Sequence, residues 1–121
     1  MPHISLQYHD LNGKTYDFRH FFHQLHSLLK KVAGIKPEDC KSRVIPISEA
    51  TVGTGPGDQD FVHLEIRLLE GRSPGTKRMI GEQVLDLLKT YFSRTGDPDT
   101  QISVEIVDMF RSGYFKHPPL S

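Results

Sequence analysis

Apolar and polar residues alternate from Ile4 to Tyr8 as Ile-Ser-Leu-Gln-Tyr, the period of a strand with one buried face. His9-Asp10-Leu11-Asn12-Gly13-Lys14 reads as a turn, after which the period changes. Phe18, Phe21, Phe22, Leu25, Leu28, Leu29 and Val32 fall on one face of a helix that Asp17 can cap. Gly34 and Pro37 end it, because glycine accepts the left-handed geometry past a helix end and proline cannot continue the hydrogen-bond ladder. Arg43 to Ile47 predicts a second strand and the glycine-rich stretch from Gly53 to Asp60 a loop. Phe61 to Leu69 predicts a third strand with Phe61, His63, Glu65 and Arg67 on one face. Ser73 then caps a second helix with Pro74 at its first position, and Met79, Ile80, Val84, Leu87, Leu88 and Tyr91 form its apolar face. Gly96-Asp97-Pro98 breaks that helix. Ile102 to Ile106 alternates as a fourth strand, followed by a tail containing Tyr114-Phe115-Lys116.

The order is β-α-β followed by a second β-α-β, and each half can set two parallel strands side by side through its helix. The expected class is therefore α+β: two β-α-β repeats forming a four-stranded mixed sheet with both helices on one face. At 121 residues the chain fits a single domain over 1–121. The other face of the sheet needs cover, and for so short a chain a second copy of the same protein is the expected cover, which predicts a homo-oligomer.

Lysine and arginine number 15 and aspartate and glutamate 15, so the formal charge is zero and the electrostatic footprint of a nucleic-acid binder is missing. No apolar run approaches the roughly 20 residues that a membrane-spanning helix needs. Cys40, the single cysteine, cannot form an intrachain disulfide, and no basic start leads into an apolar signal segment, so the cytoplasm is the expected compartment.

The residue richest in chemical meaning is Pro2. A small second residue lets the initiator methionine be cleaved, leaving a secondary amine mounted on a core strand, which is the rigid support a catalytic base needs. Burial among apolar walls and cations disfavours the charged amine and makes it a competent general base near neutral pH. Arg43 and Arg72 lie at element ends. Their planar forks suit bidentate binding of a dicarboxylate, and the alternative is that they are solvated or paired with acids such as Glu49 or Glu70.

Met1-Pro2-His3, Ser42-Arg43-Val44, Phe61-Val62-His63, Gly71-Arg72-Ser73, Gly81-Glu82 and Phe115-Lys116 resemble, nearly end to end, the 5-carboxymethyl-2-hydroxymuconate isomerase family. That family lies within the tautomerase superfamily of 4-oxalocrotonate tautomerase and macrophage migration inhibitory factor. The resemblance implies a homotrimer of β-α-β repeats with its pocket at a subunit boundary. Pro2 would be the base, Arg43 and Arg72 the carboxylate-binding and catalytic arginines, and Phe115 either an apolar wall or a core or interface residue. It implies a cofactor-independent keto-enol isomerase of an unsaturated hydroxy or oxo polycarboxylate, in catabolism of an aromatic acid. The segment between Val52 and Asp60 departs from the family in carrying no aromatic residue, which bears on the substrate more than on the reaction. The alternatives are a tautomerase of a different keto-enol substrate and a trimeric binding protein that keeps the fold without turnover.

Other candidates are weaker. His20, His23 and His26 recur every three residues on the first helix, whereas zinc helices favour a four-residue spacing with a third ligand, so no metal is expected. His63, beside apolar neighbours in a strand, reads as a buried, hydrogen-bonded histidine, with a catalytic role the weaker reading. Cys40 has no histidine partner in sequence and reads as an inert thiol. Gly53-Thr54-Gly55-Pro56-Gly57 lacks the Gly-Lys-Ser/Thr ending of a phosphate loop and reads as a turn.

Overall fold

The computed structural model describes residues 1–9, 15–55, 60–92 and 100–119. Its elements are β1 (His3–His9), α1 (Phe18–Ala33), β2 (Lys41–Pro46), β3 (Phe61–Leu69), α2 (Pro74–Phe92) and β4 (Gln101–Met109), with one-turn 3₁₀ segments at Pro37–Asp39 and Arg111–Gly113. The strands form one mixed sheet in the order β2-β1-β3-β4. Within each half the two strands run parallel, β1 with β2 and β3 with β4, while the halves meet antiparallel along β1 and β3.

Alternation dictates which face carries the helices. Ile4 and Leu6 on β1 and Val62, Leu64, Ile66 and Leu68 on β3 are buried, and they pack against Phe21, Phe22, Leu25 and Leu29 of α1 and Ile80, Val84, Leu88 and Phe92 of α2. Each such side chain contributes about 1.5–3 kcal/mol by leaving water, so this one-sided layer is the main source of stability. The opposite face carries Ser5, Gln7, Arg43, Ile45, His63, Glu65, Arg67, Ser103 and Glu105, and among the described residues no helix or strand covers it.

The helix ends follow their local chemistry. The Asp17 carboxylate accepts from the His20 amide at 3.1 Å, and Gly34 closes α1 in the left-handed region at φ 67° with its amide on the Lys30 carbonyl. Ser73 Oγ accepts from the Thr76 amide at 3.2 Å, capping α2 ahead of Pro74. The Tyr91 hydroxyl donates to the Asp17 carbonyl, tying the end of α2 to the start of α1.

Several boundaries and one face differ from the sequence reading. His9 ends β1 instead of opening the turn, and the rest of that turn, residues 10–14, lies outside the described residues, as do residues 56–59 of the glycine-rich loop and the 96–98 breaker. β2 runs from Lys41 to Pro46 because its ends are set by pairing, His3 opposite Lys41 and Tyr8 opposite Pro46. β4 continues to Met109, since Val107, Asp108 and Met109 keep pairing with Arg67, Leu68 and Leu69 although the alternation stops. Met79 is 48% exposed. It lies with Gln83 and Asp86 on the outward side of α2, and the buried ridge is Ile80, Val84, Leu88 and Phe92.

Among the described residues no helix is long and apolar enough to cross a membrane.

Candidate active site

Pro2 is fully buried where the chain enters β1, and its carbonyl accepts from the Lys41 amide at 3.1 Å. The antiparallel pairing of β1 with β3 sets the start of β1 beside the end of β3. From there the chain turns through Gly71 at φ 120°, a conformation that side chains rarely adopt, and delivers Arg72 ahead of α2. Pro2 and Arg72 thus occupy the same end of the sheet.

The electrostatics of that end bear on a base. Burial lowers the pKa of the chain-start amine of Met1; Lys41 and Arg72 lower it further, against the opposing pull of Asp39 and Cys40.

Arg43 comes to the site along the uncovered face. It stands opposite Ser5 in register, and its guanidinium Nη2 lies 2.9 Å from His3 Nδ1. His3 Nε2 lies 3.0 Å from the Tyr114 hydroxyl, with the two rings edge to face at 5.8 Å. Burial, then Arg43 and Lys41, lower the pKa of His3, with smaller pushes from the chain-start amine and Arg67. Among the described residues neither Arg43 nor Arg72 pairs with an acid; Glu70 instead accepts the Arg111 amide at 2.8 Å.

Phe115, next to Tyr114, is 88% exposed, which removes a core role within the chain. The sequence reading did not single out His3, Tyr114, Lys41 or Asp39 as site residues. His3 and Arg43 both occupy odd positions of their strands, but their meeting depends on the β1–β2 register, which alternation alone does not reveal.

The remaining candidates fall elsewhere. His63 is not buried: it lies on the uncovered face, where Nδ1 is 2.6 Å from Ser103 Oγ and Nε2 is 3.4 Å from the Glu105 carboxylate. Its apolar sequence neighbours Val62 and Leu64 point to the helical layer, as strand alternation requires. His26 pairs with Ser42 Oγ at 2.7 Å, and burial, then His23, lowers its pKa. Among the described residues no group of three or more metal-ligating side chains converges. Burial raises the Cys40 thiol pKa, disfavouring its nucleophilic thiolate. A groove of about 490 Å³ between α1 and α2, lined by Gln24, Leu28, Lys31, Gln83, Asp86 and Leu87 among others, includes none of the candidate residues.

The four-stranded mixed sheet with two helices is a tautomerase-like fold. It is similar to a 5-carboxymethyl-2-hydroxymuconate isomerase from Deinococcus radiodurans R1, with 24% identity over 95% of this chain and 87% of that one and a TM-score of 0.81. It is also similar to a fused wild-type 4-OT described as a symmetric trimer, with 12% identity, 98% and 94% coverage and a TM-score of 0.77. A macrophage migration inhibitory factor-like protein from Entamoeba histolytica gives 16% identity, 95% and 94% coverage and a TM-score of 0.68. No curated protein sequence matches the chain. Residues 2–121 match the family described as 5-carboxymethyl-2-hydroxymuconate isomerase, and the chain belongs to that family of isomerases.

Proposed function

We propose that this single-domain protein is a cofactor-independent keto-enol tautomerase acting on 5-carboxymethyl-2-hydroxymuconate or a similar unsaturated hydroxy or oxo polycarboxylate, with Pro2 as its general base. The observation that carries this reading is the buried seat of Pro2, beside a chain-start amine that burial, Lys41 and Arg72 all push toward neutrality. With Met1 attached the Pro2 nitrogen is a tertiary amide with no basic lone pair, so the activity requires removal of Met1.

In the processed protein the neutral prolyl amine takes the proton from the substrate's enol oxygen. The electron pair moves through the conjugated chain, and the prolyl ammonium returns the proton to a distant carbon, giving the conjugated ketone. Arg43 and Arg72 hold the carboxylates, and a guanidinium near the 2-oxygen stabilises the charge that develops there.

The polar sheet face that no described helix or strand covers and the 88% exposed Phe115 support a homotrimer in which a neighbouring subunit closes the pocket. The relative described as a symmetric trimer supports the same assembly. The expected setting is the cytoplasm.

The test couples intact mass to an ultraviolet assay of enol-to-ketone conversion on a 2-hydroxymuconate. Loss of one methionine together with turnover that disappears in Pro2→Ala supports the reading. A processed protein inert toward several such enols refutes it in favour of a binding role.

A further inference from the structure

We propose that His3 is a positioning residue that aims Arg43 at the substrate carboxylate and at the same time locks the Tyr114–Phe115 segment against the site. The inference rests on the preceding reading of Arg43 as a carboxylate clamp and extends it to a residue with no assigned role.

The argument begins with what each group can do. A guanidinium donates and never accepts, so the 2.9 Å contact from Arg43 Nη2 requires a lone pair on His3 Nδ1. The neutral ring must then carry its proton on Nε2, and that N–H donates to the Tyr114 oxygen 3.0 Å away. One imidazole therefore joins three pieces of chain: β2 through Arg43, β1 through its own backbone, and the C-terminal segment through Tyr114. It does so one residue after Pro2.

Only one protonation state of His3 permits this chain of donors. A protonated ring would point an N–H at the guanidinium, breaking the contact and adding like-charge repulsion. The charged and titratable groups facing His3 are Arg43 and Lys41 from β2, Arg67 from β3, the chain-start amine and the Tyr114 hydroxyl. All of the charged ones are cations, so the surroundings favour the neutral ring. Free of its histidine anchor, Arg43 is an exposed, rotamer-rich side chain on an edge strand, and substrate binding would have to order it.

The test compares His3→Leu, which removes both contacts, with His3→Asn, whose amide oxygen can stand near the Nδ1 position and accept from Arg43. KM for a 2-hydroxymuconate is expected to rise about tenfold in His3→Leu with a smaller change in kcat, and most of the loss to be recovered in His3→Asn. In the parent enzyme KM should rise as pH falls through the lowered pKa of His3, and that rise should vanish in His3→Asn. Nitrogen NMR of the parent should report the Nε2–H tautomer, a readout independent of any substrate. An Nδ1–H tautomer, an unchanged KM in His3→Leu with folding verified by circular dichroism, or a rise of KM at low pH as large in His3→Asn as in the parent would overturn the proposal. If instead Arg43→Ala leaves KM unaltered while the parent turns over, the failure belongs to the clamp assignment of Arg43.

Discussion

Leu64 lies at the centre of β3, fully buried, opposite Leu6 on one side and Val104 on the other, under the layer formed by the two helices. Replacing it with alanine removes three carbon groups, about 2.4 kcal/mol of transfer energy at about 0.8 kcal/mol each. If the helices cannot settle into the space, the residual cavity raises the total toward about 5 kcal/mol. The sheet is braced on both sides of Leu64 by paired strands, which favours the upper part of that range. Val44→Ala makes the comparison: Val44 is half-buried on the edge strand β2, so its removal should cost about 1 kcal/mol. The assay is urea unfolding at one fixed protomer concentration, since any association of copies adds to apparent stability. Leu64→Ala should lower the midpoint at constant slope and depress the thermal midpoint by on the order of 10 °C. A loss below about 1 kcal/mol, or equal losses for the two variants, would mean that the helices are not clamped on the centre of the sheet, and the account of the core would fail.

Further outcomes follow from the same structure. Gly34→Ala should destabilise by about 1–2 kcal/mol through backbone strain alone, because the added Cβ meets nothing within 4 Å at φ +67°, and Gly34→Asn should cost less; chemical denaturation distinguishes them. In the chain that keeps Met1, Arg72→Gln removes a cation that lowers the Met1 amine, so that amine's pKa should rise in an NMR titration. Asp39→Asn removes an anion that raises it and should move that titration the other way. Displacements of the same sign in the two titrations would refute that electrostatic assignment. Arg43→Ala and Arg72→Ala should each raise KM by about ten- to a hundredfold, the value of a lost charge-assisted contact, in steady-state assays.

Much of this architecture is legible without coordinates because its causes are local. Asp17, Gly34, Ser73 and Pro74 announce the helix ends through chemistry confined to a few neighbouring residues, and the structure keeps all four in those roles. What the sequence hides is settled across the chain. The ends of β2 and β4 are set by partners dozens of residues away, and Val107 and Asp108 stay in the sheet because Arg67 and Leu68 pair with them. The same holds for the site. Pro2, Arg43 and Arg72 stand out by residue type and position. The Arg43–His3–Tyr114 chain requires both the β1–β2 register and the return of the C-terminal segment to the first strand. His63 has buried neighbours in Val62 and Leu64, but strand alternation turns it to the polar face beside Ser103 and Glu105.

The joint that seats Pro2 occurs twice. The Lys41 amide reaches the Pro2 carbonyl just ahead of the first paired residues of β1 and β2, and the Gln101 amide reaches the Asp60 carbonyl at 3.3 Å just ahead of the first paired residues of β3 and β4. The two halves are thus near-copies about an axis between β1 and β3, and Asp60 is the counterpart of Pro2. The polypeptide runs straight through the second joint, so no amine can exist there, and its buried carboxylate is instead occupied by the Thr100 hydroxyl at 2.6 Å. Joining two such halves in one chain therefore gives the twin joints different fates: the first can end in an amine, while the second is closed by the Asp60–Thr100 hydrogen bond and its repeat can reach the proposed site only through a side chain such as Arg72.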